Sequence, residues 1–547
     1  MRKDVIIAFL IVQLTTLVSC GSGDTHIQEP TVPAPQPPTP PVDRDDYPRV
    51  KDGEQMPNVL FIMSDDHAIN AISAYGNSVV ATPNIDRIAN EGVRFSNVFV
   101  TNSLCSPSRA VALTGKFSHI NGVRGNGDVF DGSQQTLPKI LQQNGYETAV
   151  YGKWHLKSEP TGFDFWEVLP GQGRYYKPNF LTPAGKITED GYVTDVITDK
   201  TISFLAEKRN KDKPFFLMYQ HKAPHRQWWP AMEELKTLTD KEFDEPETLF
   251  YDQTGRGTAA KSAEMTISRH MTLSMDNKIW PRNLPADYTE FLNYAEQKFR
   301  DNYVLLTEEQ KDLWNKVYEP INDDFIINPK SDRELTSWKF QRYLQDYTAV
   351  IKSVDRNVGR VLDYLEESGL AENTIVIYTS DQGFYLGEFG WFDKRFMYEP
   401  SFRTPLLMKW PAKIDGQKEV ESFVQNVDYA PMILSALGID VPQDMQGKNA
   451  MRVIESEPSD WINEAYYHYY DYPAIHMVKK HYGIRTERYK LIHFYDDIDE
   501  WELYDLMQDP QELQNLIDDP FYKNIREELL IKLSEKRKEL NVDSLLQ

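Results

Sequence analysis

The chain has 547 residues, with 83 acidic against 60 basic side chains and a formal charge of −23 with histidines neutral. So negative a balance excludes nucleic acid as a partner, and an acidic substrate would need a locally basic pocket or a divalent cation to offset the field that salt does not screen. The length exceeds one simple core and points to two domains once the ends are set aside. Cys20 and Cys105, the two cysteines, are each read as having separate work, so no disulfide is expected between them.

Residues 1–20 read as a secretion signal. Arg2 and Lys3 supply the positive start, and Val5 to Val12 are almost wholly apolar. The run is short for a membrane span. It ends Leu17-Val18-Ser19-Cys20, which resembles a bacterial lipobox. Cleavage before Cys20 would leave it as a lipid-bearing N-terminus on the outer membrane, the protein's one contact with a membrane. Residues 21–50, with the run EPTVPAPQPPTPPVD, form an extended, semi-rigid tether.

A catalytic domain is expected over 51–440. Four apolar runs recur in it, each leading into polar residues. Val59 to Met63 runs into Ser64-Asp65-Asp66, and Thr148 to Tyr151 into Gly152-Lys153-Trp154-His155. Phe215 to Tyr219 runs into His221-Lys222-Ala223-Pro224-His225, and Ile375 to Thr379 into Ser380-Asp381-Gln382-Gly383. Unalternating runs of this length suit strands buried on both faces. Helical segments between them, such as Thr136 to Asn144 and Gln341 to Ser368, argue for a parallel α/β sheet with crossover helices. Ligands in such sheets bind beyond the carboxyl ends of the strands, where all four polar clusters fall. An insert over about 230–337 is expected as helices and loops. Val350, Val354, Val358, Val361 and Leu362 mark the core face of the helix that follows it. A smaller C-terminal unit, 441–547, carries short strands at Ala465 to Tyr470, Tyr482 to Arg485 and Leu491 to Phe494. A charged helix at Asp519 to Leu540 closes it.

The stretch SLCSPSRAVALTG, Ser103 to Gly115, stands apart. Pro107 suits the first turn of a helix, and Ala110 to Leu113 continue it. Cys105 is then expected just before the helix N-terminus, where free N–H groups favour an anion. Arg109, one turn in, can fork onto acidic oxygens. Asp65 and Asp66 are adjacent acids at a strand end that a cation would relieve, and Asp381 and Gln382 supply a matching oxygen set. Lys153 and His155, two apart, can face one pocket.

The pattern Cys-x-Pro-x-Arg followed by Ala-x-x-x-Thr-Gly resembles the signature of type I, formylglycine-dependent sulfatases, and the resemblance covers most of the chain. It implies an alkaline-phosphatase-like fold: a mostly parallel central sheet between helices, plus a C-terminal α+β subdomain with an antiparallel sheet. It implies that a maturation enzyme oxidises Cys105 to formylglycine (3-oxoalanine). One hydroxyl of the hydrated aldehyde attacks sulfur, and the other then expels sulfate. It assigns Asp65, Asp66, Asp381 and Gln382, with the modified Cys105, to one divalent ion. An oxygen-only shell suits calcium better than zinc. It gives Arg109, Lys153 and Lys394 to the sulfate, His155 to proton removal and His225 to the leaving oxygen. Gln382 stands where the family more often has Asn, and Phe389 where many relatives carry His, a change expected at the pocket wall. His221 reads as a core histidine, and Lys222 as structural or surface-facing. Trp228 and Trp229 suit either a sugar platform or a buried pair, and Tyr466 to Arg485 either sugar specificity or a packed sheet. Trp501 to Leu506 with Asp509-Pro510 resembles the family's C-terminal signature.

The reading is a hydrolase that releases inorganic sulfate from sulfated saccharides. The relatives it resembles most are bacterial carbohydrate sulfatases near glucosamine 6-sulfatases, so the substrate is a glycosaminoglycan or a marine algal polymer such as ulvan. Two alternatives stand beside it: a phosphonate monoester or phosphodiester hydrolase of the same superfamily, and a non-catalytic surface lipoprotein that binds sulfated glycan.

Overall fold

A computed structural model describes residues 47–76, 78–235, 241–284 and 292–542. The signal, the lipobox with Cys20 and most of the tether lie outside them. The four apolar runs are strands: Asn58–Ser64, Glu147–Lys153, Phe215–Gln220 and Thr374–Ser380. They lie side by side and parallel, in the order Thr374–Ser380, Asn58–Ser64, Phe215–Gln220, Glu147–Lys153. Flanking strands bring the sheet to ten. Beyond Glu147–Lys153 comes parallel Phe165–Leu169, then antiparallel Asn179–Thr182 and Gly185–Thr188. On the other edge Leu406–Lys409 is antiparallel, followed by Val93–Phe95 and Lys418–Val420.

Each central strand is buried on both faces, which is why its residues do not alternate with polar ones. Val59, Phe61 and Met63 enter one apolar cluster; Leu60 and Ile62 enter the other. The second cluster is closed by the helix Asp332–Glu367, through Val350, Val354, Val358, Val361 and Leu362. The first is closed by the helices Cys105–Thr114 and Tyr429–Ala436. It also takes in Met445, Met451 and Trp461, so this core runs past residue 440.

The Asp332–Glu367 helix starts nine residues before the expected Gln341. Its start signal is local: the Glu334 carboxylate accepts from the Ser331 N–H and hydroxyl, at 3.3 and 3.0 Å. Residues 332–337 read as the end of the charged insert, which masked this start. The insert itself contributes the helices Thr258–Ser262, Leu292–Tyr303 and Glu308–Ile327.

The C-terminal sheet is an antiparallel meander of Ala465–Tyr469, His481–Arg485, Tyr489–Phe494 and Glu500–Asp505. The last strand was not among the expected ones. One face packs with Phe99 and Leu104, just before Cys105; the other packs on Leu529 and Leu533 of the helix Lys523–Glu539.

Candidate active site

The ends of the parallel strands deliver the expected side chains to one buried cluster. Asp65 and Asp66 follow Asn58–Ser64, Lys153 ends its strand, and Asp381 and Gln382 follow Thr374–Ser380. Backbone bonds stitch the ends together: the Asp381 N–H donates to Ser64 O at 3.1 Å, and the Asp65 N–H to Ala223 O at 3.3 Å. Cys105 is the first residue of its helix rather than the residue before it. Its Sγ lies 3.4 Å from Asp65 Oδ1 and 3.6 Å from Gln382 Nε2.

The expected amide anion site is mostly spent inside the protein. The Ser106 N–H goes to Asn126 Oδ1 at 3.1 Å, the Ser108 N–H to Leu104 O at 2.9 Å, and Pro107 has none. Side-chain cations carry the positive field instead. Lys153 pairs with Asp65 and also meets Gln172 Oε1 at 2.6 Å. Lys394 Nζ lies 2.6 Å from both Asp66 oxygens. Arg109 Nε donates to Asp381 Oδ2 at 3.0 Å, and Nη1 to Lys153 O and Gln220 Oε1 at 2.8 and 2.9 Å. Arg109 Nη2 is buried and without a partner among the described residues. Three acids and three cations thus interleave, and all six side chains are almost fully buried.

Their titration follows from that packing. Burial would raise Asp65, but Lys153, with Arg109 and Lys394 behind it, holds it well below the usual carboxylate range. Burial raises Asp66, with Lys394 opposing and the charge of Asp65 adding. Burial, then the charge of Asp65, pushes Asp381 up to about 7. Burial, with Asp65 beside it, pushes the Cys105 thiol up to about 12. An unmodified Cys105 is therefore a protonated, weak nucleophile at neutral pH.

The two histidines sit on either side. The Ser106 hydroxyl donates to His155 O at 2.6 Å, so its oxygen accepts from His155 Nδ1, 3.3 Å away, and the lone pair is left on Nε2. Burial, then Lys153, pushes His155 down to about 2, so it is neutral. His225 Nδ1 donates to Arg226 O at 2.5 Å, leaving its Nε2 lone pair 3.7 Å from Asp66 Oδ2. Burial holds it neutral as well. Asp66 and His155 have φ of +68° and +59°. A non-glycine residue there costs roughly 1–3 kcal/mol, which the surrounding packing must offset.

The residues fit a divalent cation. Oxygens of Asp65, Asp66 and Asp381 lie within 4.8 Å of one another. Gln382 Oε1 is buried without a partner among the described residues, while its Nε2 faces Asp66 and Cys105. A carbonyl oxygen with nothing to accept from, beside three buried acids whose charges face one another, is what an oxygen-ligated ion would satisfy.

Several readings change. Lys222 is not surface-facing: it is 3% exposed, lies over the Tyr175 ring, and is pushed down to about 7 by burial and then Lys153. Trp228 and Trp229 are core residues rather than a sugar platform; Trp228 packs on Tyr343 and Trp229 stacks on Trp314. Phe389 is not pocket wall, since it packs under Arg256, whose guanidinium carbon is 3.7 Å from the ring centre. Tyr466, Tyr467, His468 and Tyr469 are buried in the C-terminal sheet, and His221 is buried beside Tyr219. Gln220, Gln172 and Ser106 went unnoticed. Glutamine and serine carry no spacing signal, and each contact crosses between segments far apart in the chain.

Comparison with known proteins adds to this geometry. A family model described as "Sulfatase" matches residues 57–439, and one described as "N-sulphoglucosamine sulphohydrolase, C-terminal" matches 387–539. The chain is 48% identical over 495 residues to an N-acetylglucosamine-6-O-sulfatase of Bacteroides thetaiotaomicron, covering 89% of this chain and 88% of that one. An ulvan-active sulfatase of Formosa agariphila is 24% identical over 516 residues, 90% and 83% of the two chains. A structure solved in complex with its substrate D-glucosamine-2-N,6-O-disulfate superposes with a TM-score of 0.85 at 47% identity, covering 89% of this chain and 98% of that one.

Proposed function

The chain belongs to the sulfatase family and is a sulfuric ester hydrolase, and from that premise we propose that it removes the 6-O-sulfate of glucosamine units in glycosaminoglycan saccharides. The observation that carries the substrate is the 48% identity to an N-acetylglucosamine-6-O-sulfatase, against 24% to an ulvan-active enzyme.

Cys105, oxidised by a maturation enzyme, supplies a hydrated aldehyde with two hydroxyls on one carbon. A Ca²⁺ held by Asp65, Asp66, Asp381 and Gln382 supplies fixed positive charge beside it. The rest is the work of the chain's own side chains. Lys153, Lys394 and Arg109 Nη2 bind the sulfate oxygens in a site closed to water, where such contacts are strongest. Residue 105, held at the start of its helix, is kept in reach of them. His155 accepts a proton at Nε2 when sulfate is released. His225, neutral at rest, gains its Nε2 proton when the anionic ester sits opposite and passes it to the leaving sugar oxygen. Cleavage at the lipobox would put the enzyme on a lipid anchor at Cys20, on the outer membrane.

Released sulfate is measured for enzyme matured in its host, with N-acetylglucosamine-6-sulfate, glucosamine-2-N,6-O-disulfate, ulvan oligosaccharides and a phosphodiester. The 6-O-sulfate is expected to be released from the first two. Cys105→Ala is expected to abolish turnover at unchanged unfolding temperature, and chelation to remove activity that Ca²⁺ restores. Preferred cleavage of the phosphodiester or ulvan, or comparable turnover by Cys105→Ala, overturns the reading.

A further inference from the structure

His225 lies on a stretch without helix or strand, and such a stretch has no ladder to satisfy its carbonyls. Ala223 O accepts from the Asp65 N–H and Gln227 O from Lys278 Nζ, and three further carbonyls are met by buried tyrosines. Tyr175 OH donates to His225 O at 2.6 Å, Tyr192 OH to Trp229 O at 3.0 Å and Tyr176 OH to Pro230 O at 2.6 Å. The far end of the stretch is further fixed by the buried Trp228 and Trp229. The near end, at His225, has a different set of ties. The His225 N–H donates to Lys222 O at 3.1 Å, and Lys222 Nζ sits 4.6 Å over the Tyr175 ring. Tyr175 therefore grips the His225 backbone directly through its hydroxyl, and again through Lys222.

Tyr175 is itself held firmly. It is 1% exposed, its ring stacks on Tyr192 at 5.9 Å, and its carbonyl accepts from the Val193 N–H at 2.7 Å. The same loop, between the strands Phe165–Leu169 and Asn179–Thr182, also touches the site through Gln172, whose Oε1 accepts from Lys153 Nζ at 2.6 Å. Gly173 turns the loop at φ +68°, where a Cβ would meet Leu169 Cδ1 at 2.7 Å, so its path is closely determined.

We propose that Tyr175 is a positioning residue for this reaction: its hydroxyl fixes the His225 backbone so that Nε2 meets the leaving sugar oxygen. This rests on the assignment of His225 to that oxygen. A displacement of about 1 Å in such a group can cost about a hundredfold in rate.

Tyr175→Phe keeps the ring, its stack and the lysine above it, and removes one hydrogen bond. Its kcat on N-acetylglucosamine-6-sulfate is expected to fall about tenfold, with KM within about twofold. Tyr176→Phe removes an equivalent buried bond at Pro230 and is expected to keep kcat within about twofold; a merely structural role would not separate the two. In the His225→Ala background, Tyr175→Phe is expected to lower the residual rate by less than about twofold. Equal losses in the two phenylalanine variants, or a full tenfold loss in the His225→Ala background, overturn the proposal. A His225→Ala enzyme with near wild-type kcat overturns the assignment of His225 instead.

Discussion

A single histidine shows how burial sets a protonation state that pattern alone does not reveal. His481 is fully buried; its Nδ1 donates to Lys479 O at 2.8 Å and its Nε2 accepts from the Met397 N–H at 3.1 Å. That pair of bonds requires one neutral tautomer. Burial, only partly offset by the Lys479 carbonyl, pushes the group down to about 3 from an ordinary 6.5. The unfolded chain then binds the proton first, so stability is complete above pH 6.5 and is lost as the pH falls toward 3. His481→Gln is expected to flatten the dependence of the urea midpoint on pH between 6.5 and 4.5. A wild-type slope retained in the variant would show that His481 does not contribute. The same principle separates what was legible at the site from what was not. Asp65, Asp66, Cys105, Arg109, Asp381 and Gln382 stood out because the first two and last two follow unbroken apolar runs and the Cys-x-Pro-x-Arg spacing is rare by chance. Lys222 did not, because a lysine before Ala-Pro reads the same exposed or buried, and only its place under the loop of Tyr175 decides.

Among the elements, the helix Asp332–Glu367 was read correctly from Gln341 onward and missed over its first nine residues. The valines and leucines at helical spacing show only where it packs, and that packing holds it. Leu362, 3% exposed on the sheet, is expected to cost about 2–5 kcal/mol when changed to Ala. Ser331→Ala, at the solvent-exposed start, is expected to cost about 1 kcal/mol. Urea unfolding of both variants checks the ranking, and equal losses would mean that the cap carries the helix. The four central strands were legible for the same reason in reverse: unbroken apolar runs of this length have no place but between two layers. Glu500–Asp505 was not, since its Glu-Trp-Glu-Leu-Tyr-Asp mixes charge and aromatics, and the buried Glu502 needs distant partners besides Tyr504. Glu502 accepts from Tyr398 OH at 2.7 Å, Tyr504 OH at 2.9 Å and the Gly257 N–H at 2.9 Å.

At the scale of the molecule, the C-terminal sheet is tied to the catalytic segment by a buried ionic contact. Lys490, fully buried, meets Glu512 Oε1 at 2.5 Å, Glu399 Oε1 at 2.8 Å and Met397 O at 2.8 Å. Met397 is three residues after Lys394, so the same contact steadies the segment of the lysine that pairs with Asp66. Lys490→Met leaves two buried carboxylates facing each other and is expected to cost about 3–5 kcal/mol, with lower kcat; a variant of unchanged urea midpoint would sever that link. The chain's charge of −23 finds its local answer in the centre, where three cations are set against three acids. The sequence by itself determined the parallel strands, the polar clusters at their ends and the sulfatase family, because unbroken apolar runs and a rare motif are local properties. Which side chains pair, which histidine nitrogens stay unprotonated and what holds His225 in place were decided only by the tertiary structure. Those depend on burial and on distances of about 3 Å between residues that the chain itself keeps far apart.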